Sequence, residues 1–115
     1  MDTIQVNYDI CYDLSDYDVI YEEYDKISRN IIYQNENTII DYQQLVKSKF
    51  DMGLNTENAE ISTIDISGHD AVYYIDNHQL YHLIWDNGDY IIMISSNIGR
   101  NELIDIANSV QKAEK

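Results

Sequence analysis

The sequence predicts an α+β domain: a curved antiparallel β-sheet meander of about seven or eight strands, packed by one C-terminal α-helix. Three observations lead to this prediction. Short apolar, β-branched and aromatic runs recur along the chain between turn residues. Two of these runs flank Asn87-Gly88 in the manner of a hairpin. Beyond residue 98, the spacing of apolar residues changes from the period of a strand to that of a helix.

The hairpin around Asn87-Gly88 is the best-defined local element. Asn-Gly accepts the two positive φ angles of a type I′ turn, so the sequence predicts a tight two-residue connection. The second strand, Tyr90-Ile91-Ile92-Met93-Ile94, is apolar on both faces, whereas one helix covers one face of a sheet. The other face therefore needs its own cover, which we expect from folded-over amino-terminal strands, a dimer partner or a ligand.

An apolar stripe at helical spacing predicts the helix, and its members are Leu103, Ile106, Ala107 and Val110. Gly99 is a tolerated N-cap, and Glu102 follows at the third helical position, where its carboxylate can reach free backbone N–H groups. A helix of this length is marginal alone in water. We therefore expect its stripe to pack on the sheet face that carries Trp85.

The remaining elements are predicted from alternation and from turn residues. Residues 4–14 alternate apolar and polar side chains, which indicates a half-buried strand. A second strand is expected from Tyr17 to about Tyr24, then a polar turn over 25–30, with a helical turn over 22–28 as the alternative. Residues 44–49 fit either strand or irregular structure. Further strands are expected at 31–34, 38–43, 60–66 and 71–75, turns at 35–37, 55–58, 67–70 and 76–78, and a connection at 52–55.

Length and composition indicate one folded domain, residues 1–115, since 44% of the residues are hydrophobic and no linker interrupts them. The net charge of −14 repels phosphate backbones and anionic lipid headgroups, which argues against nucleic-acid and membrane partners. It suits cationic partners, although a solvated acidic surface is the simpler interpretation. No apolar run approaches the ~20 residues of a transmembrane helix. Cys11 is the single cysteine, so no intrachain disulfide is expected.

Two groups of polar residues are candidate metal sites. Neither has the spacing of a known motif, zinc for the histidines or a calcium loop for the acids, so surface positions are favoured and no metal or cofactor is expected. The first group is His69, His78 and His82 with Asp70, Asp76 and Asp86; the second is Asp9, Asp13, Asp16, Asp18, Glu22, Glu23 and Asp25.

The sequence does not identify a catalytic site. It contains no glycine-rich phosphate loop and no nucleophile elbow, and nothing pairs Cys11 with a histidine, so no catalytic residue is expected. The eleven tyrosines offer rigid contact area with a polar tip, a property of binding surfaces as well as of half-buried sheets. Structural use is favoured for most of them, and Tyr73, Tyr74 and Tyr81 are the candidates for a binding surface.

A family resemblance is carried by four stretches: Ile64-Asp65-Ile66-Ser67-Gly68, Ala71-Val72-Tyr73-Tyr74, Leu83-Ile84-Trp85-Asp86-Asn87-Gly88 followed by Tyr90, and Glu102 to Val110. In this order they resemble the bacterial family called domain of unknown function 4367, most strongly over residues 57–111. The resemblance implies an extracytoplasmic domain of Gram-positive bacteria that follows a transmembrane helix in anti-sigma-factor-like or lipoprotein contexts. No catalytic residues are established for that family, so it supplies none here.

The resemblance therefore favours a non-enzymatic extracytoplasmic module for sensing or protein interaction, tethered by a membrane anchor upstream of the sequence given. Without the resemblance, the residues would fit a cytoplasmic protein equally well. The first alternative is a small carrier that holds an apolar ligand between sheet and helix, and the weaker second is a small acidic enzyme. A filled core would favour the interaction module, whereas a cavity larger than a few hundred Å³ would favour the carrier.

Overall fold

The computed structural model of the chain describes residues 3–49 and 61–113. Its strands are β1 (Tyr8–Ile10), β2 (Asp18–Tyr24), β3 (Ser28–Asn35), β4 (Thr38–Val46), β5 (Ile61–Ile66), β6 (His69–Ile75), β7 (Tyr81–Asp86), β8 (Tyr90–Ser96) and β9 (Val110–Lys112). A single turn of 3-10 helix (Lys47–Lys49) follows β4, and the α-helix, α1 (Arg100–Asn108), lies between β8 and β9. None of the described helices is long and apolar enough to cross a membrane.

Seven of these strands form one antiparallel sheet in the order β2-β3-β4-β8-β7-β6-β5. It consists of two meanders, β2 to β4 and β5 to β8, which join where β4 pairs with β8 and Tyr42 lies opposite Ile94. Within the described part of the chain, β2 and β5 each have one neighbour, so the sheet is open at both edges. The predicted fold class, an antiparallel meander of seven or so strands packed by one C-terminal helix, is confirmed.

The hydrophobic core lies between one face of the sheet and a cover made of α1 and the amino-terminal segment. Trp85 is 2% exposed, and it belongs to the same buried cluster as Leu103 and Ile106, which are fully buried. The helix therefore packs on the Trp85 side of the sheet, as the apolar stripe predicts. Each such side chain contributes roughly 1.5–3 kcal/mol through burial, before the loss of conformational entropy.

The opposite face of the sheet carries buried apolar side chains of its own. Alternation along β7 and β8 directs Ile84 and Ile91 away from Trp85. Both are buried, and neither belongs to the core cluster under α1. Ile84 lies between Val72 and Met93 on the neighbouring strands. The amino-terminal segment, one of the covers expected for this face, packs instead on the Trp85 side together with α1, so it does not cover Ile84 and Ile91.

The predicted strand over 4–14 is wrong in its extent. Only β1 has strand pairing, and its partner is β9 in a separate two-stranded sheet, with Tyr8 opposite Lys112. The alternation has a different cause: the segment crosses the inner face of the main sheet and packs five of its alternate side chains against the core. The residues that do so are Ile4, Tyr8, Ile10, Tyr12 and Leu14.

The predicted type I′ turn at Asn87-Gly88 is wrong, although the hairpin is present. Only Gly88 has a positive φ (102°), while the Asn87 side-chain oxygen accepts the backbone N–H groups of Asp89 (3.0 Å) and Tyr90 (2.8 Å). Asparagine acts here through its side chain instead of its backbone. Two consecutive positive φ angles occur at Ser67 (53°) and Gly68 (87°), which connect β5 to β6.

Several other boundaries differ from the prediction. The turn expected over 25–30 is present but shorter, over 25–27, because β3 begins at Ser28 and pairs with β2 from there, and the helical alternative over 22–28 is wrong. Residues 44–46 continue β4. The helix begins after Gly99, the predicted N-cap, but it ends at Asn108, so Val110 lies in β9. The connection at 52–55 and the turn at 55–58 lie outside the described residues.

Candidate functional site

A buried polar cluster joins β4 to the amino-terminal segment. Gln44 is fully buried on the inner face, between Tyr42 and Val46 along the strand. Its Oε1 accepts the Tyr8 backbone N–H (3.0 Å), and its Nε2 donates to the Val6 carbonyl oxygen (2.8 Å). A buried amide side chain requires such partners. Gln44 therefore holds the backbone of residues 6–8 against the sheet.

Arg29 completes this cluster from β3, where it is only 4% exposed. Its Nη1 donates to Gln44 Oε1 (2.9 Å) and to the Tyr8 carbonyl oxygen (3.0 Å), and its Nη2 pairs with Asp9 (2.9 Å). Its guanidinium carbon lies 5.3 Å from the centre of the Tyr24 ring. Burial opposes the charge, but the hydrogen bonds to Asp9 and Tyr24 outweigh it and raise the pKa of Arg29. The cluster is a clamp for the amino-terminal segment.

A pocket of about 180 Å³ opens where the β5–β6 and β7–β8 turns approach α1, β1 and β9. It is smaller than the ~300–1,000 Å³ of most small-molecule sites. The lining combines the Trp85 indole and aliphatic groups with hydroxyl, imidazole and amide groups. The pocket therefore suits a small polar molecule better than an apolar one. The lining residues are Tyr8, Ser67, His69, Trp85, Asn87, Ala107 and Val110.

The three tyrosines proposed as a binding surface do not share one face. Tyr73 and Tyr81 stack on the inner face with ring centres 6.0 Å apart, and the guanidinium carbon of Arg100 lies 5.4 Å from the Tyr73 ring centre. Tyr73 is buried. Tyr74 lies on the opposite face and stacks on the His82 ring at 4.6 Å. The structure thus brings two of the three together and separates the third.

His82 is held between a serine and an aspartate on the outer face of the sheet. Its Nδ1 lies 2.7 Å from Ser95 Oγ, and its Nε2 lies 2.8 Å from Asp76 Oδ2. Asp76 Oδ1 also accepts the backbone N–H groups of His78 (2.7 Å) and Leu80 (3.1 Å). The hydrogen bond with His82, followed by these backbone bonds, lowers the pKa of Asp76 to about 2.

This serine–histidine–aspartate chain holds the imidazole ring through both of its nitrogen atoms. Acyl transfer also requires free N–H donors next to the serine, to stabilise the oxyanion. Ser95 lies inside β8, which pairs with β4 on one side and β7 on the other, opposite Asp41 and His82. Its neighbouring backbone groups are therefore engaged in the sheet.

The histidines weighed as metal ligands are dispersed. His69 lines the pocket, His82 lies on the outer face, and His78 is exposed in the turn between β6 and β7. In residues 3–49 and 61–113, no group of three or more His, Cys, Asp or Glu side chains could hold a metal ion. Cys11 is exposed and forms no disulfide.

Strand β2 is the most exposed strand of the sheet, since all seven of its residues are exposed and β3 is its only neighbour among the described strands. Eight large hydrophobic side chains of the described chain are exposed, and five of these lie on β2 or in the turn that follows it. They are Val19 (52%), Ile20 (52%), Tyr21 (43%), Tyr24 (56%) and Ile27 (38%). Carboxylates are interleaved with them, namely Asp18, Glu22, Glu23 and Asp25.

The sequence pattern predicted the strand, but not its exposure. The alternation of Tyr17, Val19 and Tyr21 suggests a half-buried strand, whereas β2 lies at the edge of the sheet, where the cover of α1 does not reach. The exposure of β2 could have been predicted from the sequence, because apolar and acidic residues are mixed on both faces of this strand. A bulge between Val19 and Tyr21 adds Ile20 as an unpaired residue.

Within the described residues, an open antiparallel sheet with a buried core under one helix, and with an exposed edge strand, defines a small two-layer α+β domain. The chain belongs to the family described as domain of unknown function (DUF4367), whose model matches residues 7–110. The match confirms the resemblance seen over residues 57–111 and extends it to the amino-terminal strands. No curated protein and no solved structure gives a significant match to the chain.

Proposed function

We propose that this chain is a non-enzymatic extracytoplasmic module of a membrane-tethered bacterial protein, which acts in sensing or protein interaction. One observation carries the interaction part of the proposal: the concentration of exposed apolar side chains on β2 and its turn. Isolated apolar side chains are normal on a protein surface, but a group of them on one element is typical of a contact surface.

The non-enzymatic part of the proposal is supported by the surroundings of Ser95. Its contacts with His82 and Asp76 resemble a triad, but the backbone groups beside it are engaged on both sides of β8. The extracytoplasmic location is inferred from the family resemblance alone. It requires a direct test.

Cys11 provides the test of location, because it is exposed and is the single cysteine of the chain. Intact cells that express the full-length protein are treated with a membrane-impermeant maleimide. We expect labelling in intact cells, and we expect it to decrease in the Cys11→Ser variant. Labelling that appears only after lysis would contradict the proposed location.

Crosslinking tests the interaction. A photo-reactive phenylalanine analogue replaces Tyr21 on β2 and, as the matched control, Ile75 on β6, since the two side chains are similarly exposed (43% and 41%). In intact cells we expect a discrete protein adduct from position 21 alone. Equal crosslinking from both positions, or none from either, would refute β2 as the interaction surface.

A second candidate function rests on the pocket beside Trp85. Its volume of about 180 Å³ and its polar groups fit a small polar ligand, so the apolar-ligand carrier is the weaker form of this alternative. If the pocket is the site, enlarging Ala107 to leucine would abolish function in cells, whereas substitutions on β2 would not. The interaction module predicts the reverse pattern.

A further inference from the structure

We propose that β2 binds an extended, positively charged polypeptide segment, which adds to the sheet as a further strand. This inference rests on the proposed function as an interaction module, and it specifies both the site and the chemistry of the partner. Edge strands present a row of unpaired N–H and C=O groups, and peptide recognition by strand addition uses that row.

The backbone of β2 is oriented for such pairing. The Asp25 N–H donates to the Ser28 carbonyl oxygen (2.8 Å) at the start of the β2–β3 ladder, and the pairing continues from Tyr24 opposite Arg29. Because the direction of backbone groups alternates along a strand, those of Glu22 and Tyr24 are directed away from β3. An added strand would exchange hydrogen bonds with these two residues.

The side chains next to that row specify a cationic partner. Alternation directs Glu22 and Tyr24 to the inner face and Tyr21, Glu23 and Asp25 to the outer face. Each face thus presents carboxylates beside an exposed tyrosine ring. Lysine or arginine on an added strand would pair with the carboxylates and, on the outer face, lie over the Tyr21 ring, whereas the Tyr24 ring already contacts Arg29.

The same charges disfavour a second copy of this chain as the partner. The segment from Asp16 to Asp25 contains five carboxylates and no basic residue, and the chain as a whole has a net charge of −14. Two such edges would bring like charges into register, which destabilises strand pairing. The bulge at Ile20 further restricts regular pairing to the part of β2 that follows it.

The other edge of the sheet lacks this combination. Strand β5 has one exposed large hydrophobic side chain, Ile61 (49%), and one carboxylate, Asp65. Among the described residues, it therefore offers the backbone row without the charge pattern. A comparison of the two edges within one molecule separates charge-directed recognition from general strand addition.

The test is a nuclear magnetic resonance titration of the ¹⁵N-labelled chain with a synthetic eight-residue peptide in which lysine alternates with valine. We expect shifts of the Glu22 and Tyr24 amide signals and contacts between the peptide backbone and β2. Rising salt should weaken binding, because the charges are exposed. A peptide with glutamate in place of lysine should not bind, and one with proline in place of valine should lose the backbone pairing.

Charge reversal provides the matched variants. Glu22→Lys with Glu23→Lys should weaken binding of the lysine–valine peptide about tenfold. Asp70→Lys with Asp105→Lys makes the same change of charge at two exposed carboxylates that lie away from β2. It should leave the affinity within about twofold. Circular dichroism melts confirm that both double variants fold.

Three results would overturn the inference: no binding of the lysine–valine peptide, equal loss of affinity in the two double variants, or amide shifts on β5 in place of β2. The proposed function is tested separately by Cys11 labelling and by crosslinking at position 21. A partner that crosslinks from position 21 but lacks a basic extended segment would support that function and refute the strand-addition inference.

Discussion

Replacement of Gln44 by leucine tests the clamp between the sheet and the amino-terminal segment. The leucine would fill a similar volume, but it would leave the Tyr8 N–H and the Val6 carbonyl without their partners at 3.0 and 2.8 Å, and it would remove one of the two acceptors of Arg29 Nη1. Each buried polar group without a partner costs about 1–3 kcal/mol, whereas the added apolar burial returns about 1–2 kcal/mol. We expect a net loss of about 2 kcal/mol in the free energy of unfolding.

Urea unfolding, followed by circular dichroism and by the fluorescence of Trp85, measures this loss. Gln43→Leu is the matched control, because residue 43 is the adjacent glutamine on the opposite face of β4, and its substitution should change stability by less than about 0.5 kcal/mol. The Gln44 variant should also expose the segment before β2 to proteases. Equal stability of the two variants would refute the role assigned to the buried amide.

Three further predictions concern the core, the turns and the outer face. Trp85→Ala should cost about 3–5 kcal/mol in a urea melt, and a loss below about 1 kcal/mol would place the ring outside the core. Gly68→Ala should cost about 1–2 kcal/mol because φ at this position is +87°. Gly99→Ser, at the N-cap with φ of −62°, should be neutral or should stabilise the fold by a few tenths of a kcal/mol in the same assay. The folded-state pKa of Asp76, about 2, lies below the ordinary 3.8, so its contribution to stability is present above about pH 4 and is lost as the pH falls towards 2. Melts between these pH values should therefore show a smaller loss for Asp76→Asn than for the unaltered chain, and parallel losses would contradict the assigned hydrogen bond.

Elements with a local cause were predictable from the sequence. The N-cap at Gly99 and the apolar stripe of Leu103 and Ile106 depend on residues within a few positions of one another. The same is true of the hairpins. The pairing of β4 with β8 was not predictable, because the alternation of each strand is compatible with many neighbours and fixes no order in the sheet. The exposure of β2 follows from that order.

The polar clamp shows where a sequence signal was present but incomplete. Gln44 occupies an inward position of the pattern Ile40, Tyr42, Gln44, Val46, and a polar residue at such a position predicts buried hydrogen bonds. Its partners are backbone groups of residues 6–8, which are remote in the sequence and carry no side-chain signature. The prediction of the turn type at Asn87 was wrong for a related reason, because the asparagine acts through a side-chain hydrogen bond and not through a positive φ angle.

Amide hydrogen exchange in the free protein tests most directly whether β2 is an open edge available to a partner. We expect the amides of Glu22 and Tyr24 to exchange rapidly, while that of Glu23, opposite Asn30, and those of Ile92 and Ile94 in β8 exchange slowly. Protection of Glu22 and Tyr24 to the level of β8 in the free protein would show that this edge is already paired, and would contradict its role as the binding site.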